Sequence, residues 1–111
     1  MMNDAGPLRA NADRRTLEAA WLVLTRDTLP ALAATRGWRI RLDHCFQRVL
    51  LDNAVGGRWY DHITGRPAYR HATDVQLQAA LDLGAAVIAA SLDLAELNRC
   101  SLAWRGKRAR A

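Results

Sequence analysis

The chain reads as an all-α protein, a small single-domain bundle of about four main helices plus a short turn-helix. Three observations predict this. Alanine and leucine dominate while β-branched residues are scarce, a composition that favours helix. Apolar residues recur at spacings of three and four in several stretches, the signature of one buried helix face. No apolar–polar alternation runs beyond four residues, so nothing reads as a strand. Half of the 111 residues are hydrophobic, enough for one folded domain with a modest core. The expected layout is a flexible N-terminus over 1–12, a helical domain over 13–106, and a basic flexible tail over 107–111.

The first helix is expected from Asp13, with Asp13 or Thr16 as its cap and Leu17, Trp21 and Leu24 on its inner face. Pro30 lacks an N–H and clashes with the preceding turn, so the helix should kink there, or break and restart with Thr28 as a cap. Gly37 ends it, and Trp38-Arg39-Ile40 connects onward with Trp38 and Ile40 against the core.

The central helix runs from about Asp43 to Val55. Leu42, Phe46, Val49 and Leu50 share one face, while Leu51 and Val55 lie nearly opposite, so the helix should be sandwiched between other elements. Asp43 is placed to cap its start, and Gly56-Gly57 to end it. A polar stripe of Arg41, His44, Arg48 and Asp52 separates the apolar faces, with Arg48 and Asp52 at pairing distance. His44 falls between Leu51 and Val55 and is expected to be at least half buried, hydrogen-bonded to Asp61, Tyr60 or Asp52. Arg58 to Ile63 is expected as one or two helical turns.

Thr64-Gly65-Arg66-Pro67 is a turn by composition, and Ala68 to Ala72 a loop with Tyr69 turned inward. Thr73-Asp74-Val75-Gln76 is a capping box opening a helix to about Ala90. Its stripe is Leu77, Leu81, Gly84 and Ile88, and its small residues permit close approach of another helix. Asp93-Leu94-Ala95-Glu96 reads as a second capping box, opening a helix to about Trp104 that Gly106 stops.

The formal net charge of +5 is unevenly placed. Four basic residues, Arg105, Lys107, Arg108 and Arg110, stand in the last seven positions; the other twelve meet eleven acidic residues for a net +1. A weak nucleic-acid contact through this tail would be salt-sensitive. No helix carries the dense basic face of a sequence reader. Cys45 and Cys100 lie far apart and are expected as free thiols in a reducing cytoplasm. No apolar run approaches the length of a membrane span, and no apolar leader precedes the domain. Membrane partners are therefore not expected.

Candidate chemistry centres on the only dense polar-aromatic cluster. His44, Arg48, Trp59, Tyr60, Asp61 and His62 would form a ligand or partner site if the glycine turn folds the second piece back along the central helix. Cys45 stands next to His44, but neighbours on a helix diverge by about 100°, so the pair does not read as a nucleophile and its base. His44, His62 and His71 with Asp43, Asp52 and Asp61 match no ligand motif, so no metal is expected. Phosphate-cradling glycine loops are absent, and no cofactor is expected.

Several segments carry a resemblance: Arg41-Leu42-Asp43-His44-Cys45-Phe46, Gly57-Arg58-Trp59-Tyr60-Asp61-His62, Pro67-Ala68-Tyr69, Leu97-Asn98, and Ser101-Leu102-Ala103-Trp104-Arg105-Gly106-Lys107. Over roughly Leu29 to Lys107 the chain resembles a family of small bacterial proteins often given the name GCN5-related N-acetyltransferase. The resemblance implies a shared fold and motif set. The name itself implies a mixed α/β fold and a Q/R-x-x-G-x-G/A loop for coenzyme A. No position here matches that loop, so no acetyltransferase residue is carried over.

The function expected first is a cytoplasmic binding or regulatory module acting on a protein or small ligand. The alternatives are a small enzyme using His44 or His62 with Asp61 as an acid–base pair, and a nucleic-acid accessory acting through the tail.

Overall fold

The computed structural model describes the backbone of residues 6–107 and the side chains of residues 13–107. Helix α1 spans Gly6–Val23, α2 Leu29–Arg36, α3 Asp43–Val55, α4 Ala68–His71, α5 Asp74–Ile88 and α6 Leu94–Trp104. The described residues contain no strand, and the architecture is all-α. No described helix is long and apolar enough to cross a membrane. Helix α1 starts upstream of the expected Asp13. Residues 1–5 and 108–111, expected as part of the two flexible ends, lie outside the described residues.

The chain passes Pro30 without breaking. Pro30 has no N–H to give, and its ring would crowd the carbonyl four residues back. A wide π turn over Leu24–Thr28 absorbs both problems, with the Leu29 N–H donating to the carbonyl of Leu24, five residues earlier. Thr28 is helical and caps nothing, so α1 and α2 form one continuous rod. In the wide turn Thr25 is buried; its Oγ1 donates to the Trp21 carbonyl at 2.9 Å and accepts from Gln47 Nε2 at 3.1 Å. Gly37, at φ 68°, then closes α2 in the left-handed conformation.

The core gathers around α3. Trp21, Leu29, Phe46, Val49, Leu50 and Leu77 are fully buried, and Leu51 on the second face is buried too. Helix α3 is thus sandwiched as its two apolar faces require, against α5, α6 and the π turn. Trp38 meets Phe46 edge-on, ring centroids 6.1 Å apart. Asn53 ties α3 to α6, its Nδ2 donating to the carbonyls of Val49 and Leu97 at 2.8 and 2.9 Å. Asp43 is not the cap of α3; Leu42 holds that place, and Asp43 accepts the neighbouring His44 N–H at 2.8 Å.

The caps of α5 and α6 turn out differently. Thr73 and Gln76 satisfy each other's backbone donors, Gln76 N–H to Thr73 Oγ1 at 3.1 Å and Thr73 N–H to Gln76 Oε1 at 2.8 Å. Thr73→Ala is expected to cost about 1 kcal/mol, read as a lower denaturant midpoint at unchanged slope. Asp93 accepts from the Ala95 N–H, but Glu96 pairs with Arg99 instead of reaching back. The second box is therefore only a single cap. Gly106, at φ 72°, ends α6, and the Lys107 N–H returns to the Leu102 carbonyl at 2.8 Å.

Candidate functional site

The site begins with one buried acid. Asp52 lies in the last turns of α3 and is fully buried. Its carboxylate accepts four hydrogen bonds: from the Trp59 N–H (2.9 Å), Ser101 Oγ (2.7 Å), Arg105 Nε (2.7 Å) and Arg105 Nη2 (3.0 Å). The Asp52 backbone carbonyl accepts from the N–H groups of Gly56 and Gly57 at 2.9 and 3.1 Å. Gly56 sits at φ 74°, which reverses the chain there. One residue therefore stops the helix, folds the following segment back and clamps the far end of α6.

That segment is a single 3₁₀ turn, Trp59–Asp61. Its anchored Trp59 N–H leaves the two rings crossing edge-to-face at 5.6 Å. Arg105 lies over the Tyr60 ring at 5.2 Å and Arg58 at 5.6 Å, while Arg66 covers Trp59 at 5.1 Å. The Arg105 guanidinium is held above its ordinary pKa by the hydrogen bond to Asp52, against the opposing effect of burial. Arg48 does not pair with Asp52 as the four-residue spacing suggested. Its Nη1 donates to Ser101 Oγ at 2.7 Å and its Nη2 to Asn98 Oδ1 at 3.0 Å. The result is a chain of contacts, Asn98–Arg48–Ser101–Asp52–Arg105, joining α3 to α6.

Above this chain opens a cleft of about 400 Å³, lined by His44, Arg48, Trp59, Tyr60, Arg66 and Arg105 over the apolar side of Leu51. The fold thus gathers four of the six expected site residues, His44, Arg48, Trp59 and Tyr60. Asp61 and His62 stand apart from it. Asp61 is exposed and paired with Arg58 at 2.7 Å, a contact that raises the Arg58 pKa. His62 is exposed beside Gly57.

His44 is not buried. Its side chain is 72% exposed, and its nearest acid is Asp43 at 3.6 Å rather than Asp61, Tyr60 or Asp52. The helical angle puts it on the Leu51 and Val55 face, but in the first turn of α3 its side chain is open to solvent. Neither His44 nor His62 hydrogen-bonds Asp61 among the described residues. Cys45 and Cys100 are free and half-buried. No three described His, Cys, Asp or Glu side chains gather as a metal would require.

Arg105 is the largest correction. Grouped with the basic tail in the sequence, it is a partly buried member of the site, its side chain 18% exposed. Lys107 is exposed, and Arg108 and Arg110 lie outside the described residues. Arg66 and Arg105 were not expected at the cleft, nor Asn98 and Ser101 in the chain of contacts beneath it. The spacing of Asn98, Ser101 and Arg105, three and then four apart, marks one polar face of α6, and it matches the Arg48–Asp52 stripe across the interface. That match was the available signal.

No protein-family description, no curated protein and no solved structure matches this chain.

Proposed function

We propose that the chain is a small binding module and that the cleft beside α3 is where its ligand or partner sits. The observation that supports this reading is the make-up of the cleft: of several concave spaces of about 400–610 Å³ on the described surface, this one brings together two aromatic rings and three guanidinium groups. Two of its walls, Trp59 and Arg105, are fixed by the Asp52 clamp. Rigidly supported side chains bind with less ordering cost than mobile ones. The free thiols of Cys45 and Cys100 support placing the module in the cytoplasm.

The test is fragment screening of the isotope-labelled chain by two-dimensional NMR. Binding fragments are expected to shift the Trp59 indole and the amides of Trp59, Tyr60 and Ala68 together. Shifts gathered on the α1–α5 face, with these signals still, would remove the cleft as the binding site.

A further inference from the structure

The charges around the cleft do not balance. Three arginines line it, and Arg105 alone is matched, taking the buried Asp52 carboxylate with two of its nitrogens. Arg48 is half-buried yet bonded only to the neutral oxygens of Ser101 and Asn98. Of the five N–H donors on a guanidinium, two are used there. Arg66 is held by the Trp59 ring and makes no ion pair among the described residues. The acids on the same segments are engaged elsewhere, Asp61 with Arg58 and Asp43 with the His44 N–H. Two guanidinium groups, Arg48 and Arg66, thus line the cleft without an ion pair of their own among the described residues. Both keep charge and N–H donors for an anion that enters the cleft.

We propose, building on the binding-module reading, that the ligand of this cleft is an anion. Its carboxylate or phosphate group meets Arg48 and Arg66, and its apolar or ring-shaped body lies along Leu51, Trp59 and Tyr60. Guanidinium is suited to this, since its planar fork matches both oxyanions. The cleft has about 400 Å³, ample room for a ring with its acidic group. Tyr60 and Trp59 have arginines over their rings, so the body meets ring edges beside Leu51.

The experiment titrates the full labelled chain, in a buffer free of phosphate and carboxylates, with four probes of one shape: benzoate, phenyl phosphate, neutral benzamide and cationic benzylamine. Inorganic phosphate is the fifth arm. Benzoate or phenyl phosphate is expected to shift the Trp59, Tyr60 and Ala68 signals, and which of the two binds tighter distinguishes carboxylate from phosphate. Inorganic phosphate is expected to bind more weakly than the ring-bearing anions. Raising the salt weakens the anions selectively. Arg66→Gln, an exposed position outside the Asp52 network, is expected to weaken the better anion roughly tenfold with the melting temperature unchanged. Arg48→Gln repeats the test at the buried end. If benzamide or benzylamine shifts the cleft signals as strongly as the anions do, the anion inference fails and the binding site stands. If no probe moves those signals, the anion inference fails, and shifts appearing elsewhere remove the site with it.

Discussion

Asp52→Asn is expected to lower stability by about 3 kcal/mol, a fall in melting temperature on the order of 15 °C for a domain of this size. The substitution keeps shape and removes charge. The amide oxygen still accepts the Trp59 N–H, but the amide nitrogen then points its hydrogens at the Arg105 Nε–H, donor against donor. Arg105 is left partly buried without its counter-ion, the arrangement that makes half of a buried pair costlier than none. Ser101 Oγ, which already accepts from Arg48, can accept once more from the new amide, but its own O–H then loses the carboxylate it donated to. The double variant Asp52→Asn with Arg105→Met is expected to be more stable than Asp52→Asn alone, because the stranded charge is gone. Thermal melts of the parent, Asp52→Asn, Arg105→Met and the double variant give the coupling energy. A single variant within about 0.5 kcal/mol of the parent, or a double variant no better than the single, would show that Asp52 does not hold the fold together.

The same residue shows what the sequence made legible. The signals that read correctly are local. The Thr73–Gln76 box, the left-handed Gly37, Gly56 and Gly106, and the two apolar faces of α3 need only neighbours in the chain to be specified. Position along a helix axis is not local. Periodicity gave the angle of His44, and only the packed neighbours decide whether its turn is covered. Partner choice is not local either. Spacing offered Arg48 to Asp52, yet α6 brings Ser101 and Arg105 to the carboxylate, and the two nitrogens of Arg105 outcompete a single i, i+4 contact. The composition of the last residues hid Arg105 further, since a run of basic residues at a chain end reads as a solvated tail. Pro30 gave a correct alarm with an incorrect consequence: a kink, a break and a π turn all relieve the same clash, and the buried Thr25 and Leu29 favour the one that keeps the rod continuous.

The small residues of α5 do what their size suggested, and Gly84 gives the sharpest test of the packing. A Cβ built on Gly84 would lie 2.4 Å from Leu24 Cδ2, 3.2 Å from Cδ1 and 3.3 Å from Cγ. Leu24 is only 8% exposed, so its side chain has little open space to retreat into. Gly84→Ala gains about 1 kcal/mol in helix propensity but overpacks the contact by about 1–3 kcal/mol, a net loss. Leu24→Ala alone leaves a cavity and is expected to cost about 3 kcal/mol. In that background the sign reverses. The methyl group added by Gly84→Ala enters space that Leu24 has vacated, and the propensity gain remains, so the substitution becomes stabilising by about 1 kcal/mol. Denaturant titrations of the parent, both single variants and the double variant complete the cycle. The same substitution should push the midpoint down in the parent and up beside Leu24→Ala. A gain in both backgrounds would mean that Leu24 swings aside freely, and that the approach of the π turn to α5 does not depend on the missing side chain at position 84.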